Sequence, residues 1–193
     1  MTDSDTPRRY PRSPQAKEMF QLICDYCLKR RGRQNERWLF EQLAKYFHHT
    51  LSGNPDTLLE KNNKGLSFLT DALHLPYASN SPDSLEMKHR KAEKLTALIL
   101  DCAKGHLSVG QQATLLTAVT SNGFTPLHDA VRSGNVRLYD MVAAALDRLH
   151  RDRIIDDATY ARQCTLPTEH RFTPLHTAAK SGNSELYERL HDR

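Results

Sequence analysis

The 193-residue chain has a formal net charge of +4 and contains four cysteines. This charge is too small to indicate a nucleic-acid-binding protein without a clustered basic patch, and so few cysteines do not indicate a disulfide framework. The N-terminus lacks the apolar core of a signal peptide, and no apolar stretch is long enough to cross a bilayer. A reducing, cytoplasmic environment is therefore expected.

The N-terminal segment predicts an irregular tail followed by two amphipathic helices. Residues 1–13 contain two prolines and no periodicity, and are expected to be disordered. A first helix is predicted over residues 14–30, because apolar side chains recur there at steps of three and four and Ser13 can cap it. A second helix is predicted over residues 35–50. Both belong to the segment 14–62.

The next segment predicts a short helix, a loop and a long helix. Residues 64–73 form a short apolar run, and a proline-containing loop with an exposed Tyr77 follows it. Ser81 and the proline after it open the long helix. We expect residues 84–91 of this helix to overhang into solvent, because four consecutive basic side chains that end at Lys91 cannot be buried together.

One stretch occurs twice and organises the rest of the chain. Residues 123–130 read Gly-Phe-Thr-Pro-Leu-His-Asp-Ala, and residues 171–178 read Arg-Phe-Thr-Pro-Leu-His-Thr-Ala, so the repeat period is 48 residues. In each copy the threonine can cap a helix, and the proline then takes the first helical position, where a missing N–H costs nothing. Gly134 and Gly182 can end these helices in the left-handed conformation.

This repeated stretch resembles the ankyrin repeat, whose motif reads Gly-x-Thr-Pro-Leu-His-x-Ala. The resemblance implies a helical solenoid that binds another protein and performs no chemistry. It assigns a structural role to six motif residues, Thr125, Pro126, His128, Thr173, Pro174 and His176. A degenerate third copy is identified earlier in the chain, where Gly65, Ser67, Leu69, Asp71 and Ala72 keep the register of the motif. In that copy Phe68 replaces the proline and Thr70 replaces the histidine.

Each full copy is preceded by extra sequence that predicts one more short helix. The segments 107–118 and 155–165 match at the 48-residue offset, and Ser108 and Asp156 can each cap a helix. An ankyrin unit is about 33 residues long, so these longer units have room for a third helix. The expected fold is all-α, an ankyrin-type helical solenoid with an extra short helix per repeat and an N-terminal helical cap.

The predicted domain organisation follows from these units. The N-terminal cap is assigned to residues 14–62, since a solenoid must cover the open face of its first repeat. The ankyrin-repeat domain is assigned to residues 63–193, with units near 63–105, 121–152 and 169–193. The last unit ends in a short helix without a polar capping repeat, so the solenoid is expected to continue beyond this sequence.

The cysteines and histidines form no catalytic or metal-binding pattern. Cys24 and Cys27 make a CxxC pair, but no second pair lies at zinc-binding spacing, and both are expected in the core on the apolar stripe of the first helix. His128 and His176 belong to the repeated motif, and a catalytic site would not need two copies. We therefore expect no enzyme activity, no cofactor and no metal.

The densest basic cluster is Lys29-Arg-Arg-Gly-Arg33, with Arg37 close by. Two interpretations stay open for it. The cluster is either a nuclear-import signal or acidic-partner patch, or a set of solvated cations at a helix end. Elsewhere basic and acidic residues alternate and no aromatic platforms stand between the basic ones, so nucleic-acid binding is not expected.

A partner surface is predicted at the loop tips and on the exposed side of the inner helices, following the ankyrin resemblance. Phe124 and Phe172 take a solvent-facing position of the motif and would be aromatic anchors, unless they pack against the inserted helices. The candidate partner-binding residues are Asn122, Phe124, Asp129, Arg132, Ser133, His170, Phe172, Thr177, Lys180 and Ser181.

The function predicted from the sequence is protein–protein interaction through the concave face of the solenoid, by a monomer without a membrane span. The long units resemble those of ankyrin-repeat effectors that intracellular bacterial pathogens secrete, which implies a host protein partner in the host cytosol or nucleus. One alternative is a targeting or substrate-recruiting domain of an enzyme whose catalytic part lies outside this chain. Another is a nuclear adaptor that uses the cluster at 29–37.

Overall fold

The computed structural model describes residues 13–28, 36–62, 64–77 and 83–192, which fold almost entirely into helices. The predicted disordered tail and the basic cluster at 29–33 lie outside these ranges, so both predictions stay untested. The α-helices of the described part are α1 Pro14–Leu28, α2 Glu36–Gly53, α3 Phe68–Leu73, α4 Leu85–His106, α5 Val109–Leu116, α6 Pro126–Arg132, α7 Val136–Arg151, α8 Asp157–Thr165, α9 Pro174–Ser181 and α10 Ser184–His191. Two 3₁₀-helices cover Pro55–Leu59 and Leu75–Tyr77.

The repeat helices stack in two rows. The inner row contains α3, α6 and α9, with α6 packed between the other two. The outer row contains α4, α7 and α10 in the same order, and each inner helix packs on the outer helix of its own unit. Contacts between consecutive units along both rows are the defining property of a solenoid. The prediction of an all-α, ankyrin-type solenoid is confirmed.

The extra sequence before each full copy forms the predicted third helix. Ser108 caps α5, because its hydroxyl accepts the Gln111 N–H at 3.3 Å while the Gln111 side chain accepts the Ser108 N–H at 2.9 Å. Asp156 caps α8 by accepting the Thr159 N–H at 2.7 Å. The helix α5 packs against α4 and α7, and α8 packs against α7 and α9. Each inserted helix therefore fills the junction between two consecutive units.

All three units begin with the same tight turn, including the degenerate first unit. The first residue of each turn donates its N–H to the carbonyl of the fifth, in the pairs Asn62–Leu66 (2.8 Å), Thr120–Phe124 (2.8 Å) and Thr168–Phe172 (2.9 Å). The fourth residue has a positive φ in every case, at Gly65, Gly123 and Arg171. The register assigned to the degenerate copy is therefore confirmed at its turn.

Gly123 and Arg171 share this left-handed position but have different surroundings. A Cβ on Gly123 would lie 3.0 Å from the Cα of Thr168 and 3.2 Å from the carbonyl oxygen of Pro167, because the next turn packs directly on it. The Glu169 N–H also donates to the Asn122 carbonyl at 3.0 Å and joins the two turns. Arg171 is exposed and keeps a side chain at φ 64°, which costs a non-glycine residue roughly 1–2 kcal/mol.

The degenerate unit departs from the motif where it meets the N-terminal helices. Phe68, which replaces the motif proline, is fully buried. Its ring stacks on Phe20 of α1 with centroids 3.8 Å apart and meets Phe47 of α2 edge-on at 5.7 Å. A proline at this position could not reach into that interface. Three aromatic side chains therefore pack α1 and α2 against α3 of the first unit.

Lys91 shows that the predicted overhang of residues 84–91 is wrong. Its side chain is fully buried, and its ammonium donates to the Asp83 carboxylate at 2.5 Å and to the Cys27 carbonyl at 3.3 Å. That carbonyl lies in the last turn of α1, where unpaired carbonyls concentrate partial negative charge. The three basic residues before Lys91 keep contact with solvent. Of the four basic side chains, only Lys91 is buried, because Asp83 and the Cys27 carbonyl bind its ammonium.

Two more side chains lie elsewhere than predicted. Tyr77 is half-buried in a 3₁₀-helix rather than exposed in a loop, because the Arg132 side chain covers its ring. Cys24 is exposed, whereas Cys27 is buried as expected. The buried face of α1 contains Tyr26 instead, and Cys24 follows the buried Ile23 by one residue, which turns it away from that face.

The domain boundaries predicted near residues 13 and 62 remain predictions, because the positions of the helices do not define domain boundaries. The structure adds one finding about membranes. Within the ranges described above, every helix is too short or too polar to traverse a bilayer.

The buried lysine gives the first testable prediction. We expect Lys91→Met to lower the free energy of unfolding by about 3 kcal/mol, because it removes the ion pair between the buried ammonium and the largely buried Asp83 carboxylate. Lys94→Met is the matched control, since Lys94 is partly exposed and pairs with Glu36 at 3.3 Å, so its loss should cost about 1 kcal/mol or less. Urea denaturation followed by far-UV circular dichroism measures both. Equal losses in the two variants would contradict the role given to the buried pair.

The paired turn positions give a second prediction with opposite signs. Arg171→Gly should raise the free energy of unfolding by about 1 kcal/mol, because glycine adopts the left-handed conformation without a Cβ penalty. Gly123→Ala should lower it by about 2 kcal/mol or more, since the new Cβ is both strained and against backbone of the next turn. Thermal and urea unfolding test both changes. A stabilising Gly123→Ala would show that the turns do not pack as described.

Candidate partner-binding face

The predicted partner-binding residues divide into an exposed set and a buried pair. We define the inner face as the exposed side chains of α6 and α9 together with the turns 120–124 and 168–172. Eight predicted residues keep solvent contact on this face or at its edge, namely Asn122, Phe124, Arg132, His170, Phe172, Thr177, Lys180 and Ser181. The other two, Asp129 and Ser133, are buried.

Asp129 was predicted to face a partner, and this prediction is wrong because the preceding unit covers it. Its side chain is fully buried, and one carboxylate oxygen accepts a hydrogen bond from His74 Nε2 at 2.8 Å. His74 is the C-cap of α3, so the bond joins the first unit to the second. The equivalent Asp71 bonds Asn62 at 3.1 Å, and burial raises the pKa of its carboxyl group. In the first two units this motif position therefore belongs to the frame.

Ser133 is also wrongly assigned to the partner surface, because it ends α6. Its hydroxyl donates to the Ala130 carbonyl at 2.6 Å and accepts the Asn135 N–H at 3.1 Å. Its carbonyl oxygen accepts a hydrogen bond from His89 Nε2 of α4 at 3.0 Å. All of its polar groups therefore serve the junction between α6, α7 and the preceding outer helix.

Two cation–aromatic pairs stand at equivalent positions of the second and third units. In the first pair the Arg132 guanidinium lies 5.3 Å from the centroid of the Phe124 ring. In the second pair Lys180 Nζ lies 5.0 Å from the centroid of the Phe172 ring. Helical side chains lean toward the N-terminus, so a cation near the end of a short helix can return over a ring at its start. The helices α6 and α9 are packed neighbours, and the axes of packed helices are typically about 8–10 Å apart, so a similar separation is expected for the two pairs.

Tyr77 of the first unit extends the first cation–aromatic pair. Its ring centroid lies 4.4 Å from the Arg132 guanidinium, so this cation is held between rings from two consecutive units. Burial raises the pKa of Tyr77 well above its usual range, although the charge of Arg132 opposes that shift. Sequence reasoning missed Tyr77 because it lies outside the repeated motif. No sequence pattern indicated that the rings of Tyr77 and Phe124 contact the same guanidinium, that of Arg132.

The cations of the two pairs have no carboxylate partner within the part of the chain that the structure describes. Some surface cations elsewhere do pair, as Arg189 does with Asp140 at 2.7 Å and with Glu185 at 3.0 Å. Arg132 and Lys180 instead contact aromatic rings. A ring contact of this kind leaves the N–H donors of a guanidinium free to bind another group. The inner face therefore presents positive charge that the fold itself does not neutralise.

The rings of Phe124 and Phe172 lie along their own inner helices. Phe124 is half-buried and meets the His128 ring at 5.8 Å, and Phe172 is 36% exposed and meets the His176 ring at 6.4 Å. Both contacts are close to perpendicular, a favourable arrangement for aromatic pairs. Each phenylalanine is thus packed on one side by histidine and covered by a cation on another.

The motif threonine and histidine start each inner helix with the same bonds. The Thr125 hydroxyl accepts the His128 N–H at 3.3 Å and lies 2.9 Å from His128 Nδ1, while the Thr125 N–H donates to that nitrogen at 3.3 Å. Thr173 and His176 repeat all three contacts. A nitrogen that accepts these bonds carries no proton, so the geometry requires the neutral imidazole. The structural role implied for these residues matches their contacts.

The two motif histidines differ in burial. His128 is fully buried and His176 is exposed. Burial lowers the pKa of His128, and the charge of Asp129 and backbone groups of Phe172 and Leu166 oppose this shift only in part. Protonation of His128 would place a charge between the second and third units and remove the acceptor at Nδ1. This histidine therefore couples the junction of the two units to pH.

A groove of about 340 Å³ lies between α1 and the turn of the first unit. No residue in it was predicted as a site. Its lining combines exposed cations with one ring and polar groups, and consists of Lys17, Phe20, Gln21, Cys24, Asn62, Lys64 and Asp71. Because Asn62 and Lys64 belong to the first turn, the groove takes the place in the first unit that the inner face takes in the next two.

The chemistry offered by these surfaces suits recognition. Among the residues that the structure describes, no three His, Cys, Asp or Glu side chains converge to hold a metal ion. Burial raises the pKa of the Cys27 thiol far above its usual range, which disfavours the reactive thiolate. What the inner face presents is two cations, the rings beneath them and the amide and hydroxyl groups of the turns.

The family model of the ankyrin repeat matches residues 122–150, which contain the end of the turn, the inner helix and most of the outer helix of the second unit. A comparison with curated proteins found no significant match. The matched unit has the most complete motif of the three, and its inner helix α6 is more buried than the equivalent helix α9.

The difference between the two motif histidines gives a prediction about pH. The pKa of His128 is lower in the folded chain than its ordinary value of 6.5, so the unfolded chain binds more protons between those two values. Stability should therefore be full above about pH 6.5 and should fall as the pH drops below it. We expect His128→Gln to flatten this fall, whereas His176→Gln, at the exposed equivalent position, should leave it intact. Urea unfolding at a series of pH values measures the slopes, and identical slopes in both variants would contradict the assignment.

Proposed function

We propose that this chain is a protein–protein interaction module that holds a partner protein on its inner face. The observation that carries the proposal is the repetition of the cation–aromatic pairs, Arg132 with Phe124 and Lys180 with Phe172, in register on consecutive units. Aromatic and arginine side chains are the residues that dominate interface energies. The ankyrin repeat at residues 122–150 supports the same conclusion, because such repeats present variable residues on a fixed frame.

The frame supports this proposal by its rigidity. The motif histidines, the buried Asp129 and the interlocked turns fix the helices that hold the pairs. A surface fixed before binding loses little conformational entropy when a partner arrives. The turns contribute exposed groups at one end of the same surface, including Asn122 and His170.

A finer proposal is that the partner is a host protein and that the chain is a secreted bacterial effector acting in the host cytosol or nucleus. Its support is the pattern of long units, in which α5 and α8 are inserted between consecutive repeats. The alternative is a targeting or substrate-recruiting domain of a larger enzyme. Both proposals use the same inner face and differ in what else acts on the bound partner.

The proposed function is tested by site-specific photo-crosslinking. A benzophenone amino acid at Phe172 samples the inner face, and the same amino acid at Tyr187 on α10 is the matched control, because the two side chains are 36% and 39% exposed. In lysate of the cells in which the chain acts, a crosslinked protein is expected from Phe172 and not from Tyr187. Crosslinking only from Tyr187, or equally from both, would refute binding through the inner face.

A second experiment measures the contribution of the pairs to binding. Recovery of the crosslinked protein in a pull-down should fall roughly tenfold or more when Phe124→Ala, Arg132→Glu and Lys180→Glu are combined, because truncated hot-spot residues typically cost over 1 kcal/mol each. Arg151→Glu and Arg162→Glu, which change exposed residues of α7 and α8, form the control. Unchanged recovery with the first set would refute the proposal.

A further inference from the structure

We infer that the inner face recognises an extended acidic segment of its partner, with two carboxylates three residues apart, one for each cation–aromatic pair. The inference rests on the proposed function and names the chemistry of the partner. It starts from the charge of the face. Arg132 and Lys180 contact rings and have no carboxylate partner among the residues described here, while Asp129, three residues before Arg132, is buried and bonded to His74. The positive charge is therefore directed at solvent.

The rings fix where these charges are. The Arg132 guanidinium lies 4.4 Å from the Tyr77 ring centroid and 5.3 Å from the Phe124 ring centroid, so contacts with two rings hold its position before a ligand binds. Lys180 lies over a single ring at 5.0 Å. A planar, oriented guanidinium matches a carboxylate through two parallel hydrogen bonds, whereas an ammonium acts as a point charge. Arg132 is thus the more specific of the two carboxylate positions.

The spacing of the pairs selects the conformation of the ligand. Arg132 and Lys180 occupy equivalent positions on the packed helices α6 and α9, and from the usual spacing of packed helices we expect the charges to be about 8–10 Å apart. A polyproline II segment advances about 3.1 Å per residue with three residues per turn, so residues i and i+3 share one side about 9 Å apart. A segment with carboxylates at these positions matches both cations at once. Adjacent carboxylates would reach only one.

The same geometry argues against a nucleic acid as the ligand. Single-stranded nucleic acids bind by stacking bases on open aromatic faces beside cations. Here the cations themselves lie over the rings of Phe124 and Phe172 and cover those faces. Two cations are also few for the series of phosphates along a strand. An acidic polypeptide uses both features of the face, the directed charge and the flat apolar edge around it.

The test measures binding of defined peptides by fluorescence anisotropy. The probe is a short fluorescein-labelled, proline-rich peptide with two glutamates three residues apart. We expect it to bind about tenfold more tightly than the peptide with glutamine at both positions or with the two glutamates adjacent. A labelled oligothymidylate of similar length is the nucleic-acid comparison. Equal binding of the charged and neutral peptides, or tighter binding of the oligothymidylate, would overturn the inference.

Matched variants separate this site from general charge. Arg132→Gln with Lys180→Gln should weaken binding of the spaced-glutamate peptide about tenfold, while Arg151→Gln with Arg162→Gln removes the same charge from exposed positions of α7 and α8 and should change it less than twofold. Circular dichroism and thermal unfolding check that both are folded. Equal weakening by the two double variants would overturn the inference. A partner crosslinked from Phe172 that also binds the Arg132→Gln/Lys180→Gln variant normally would leave the proposed function standing and refute this one.

Discussion

The structure depends most on the bonds with which threonine and histidine begin each inner helix. Helices of seven or eight residues, such as α6 and α9, are too short to be stable by themselves. The Thr125 hydroxyl and His128 Nδ1 supply acceptors for N–H groups that the helix leaves unpaired, and Pro126 removes another. The helix can then be short, and the end of α6 brings Arg132 to the surface close to the phenylalanine of the same unit.

Repetition of this start is what makes a binding face from separate units. The second and third units each place one phenylalanine before the cap and one cation at or next to the end of the helix, so the same pair recurs in both full copies of the motif. The inserted helices α5 and α8 pack between units on the other side and leave the inner row in contact from α3 to α9. Chemistry at the face can therefore vary without disturbing the bonds that hold the units together.

Sequence reasoning succeeded where a residue's partners lie within its own unit. The capping pairs, the inserted helices and the register of the degenerate copy are local, and spacing alone predicts them. It failed where the partner comes from another unit. Asp129 reads as an exposed helical residue until His74 of the preceding unit covers it, and Lys91 reads as solvated until Asp83 and the end of α1 surround it. Of the candidate site, Phe124, Arg132 and their equivalents were predictable, but Tyr77 was not, because no periodicity links it to the motif.

The cover of the rings by cations also affects how copies of this protein meet each other. Contiguous exposed apolar patches, including exposed aromatic rings, favour the association of one copy with another. On the inner face, a positively charged side chain lies over each ring, Arg132 over Phe124 and Lys180 over Phe172. Two copies that approach through this face bring like charges together, and the repulsion opposes contact between their rings. The same two charges that attract a ligand of opposite charge thus disfavour contact between the inner faces of two copies.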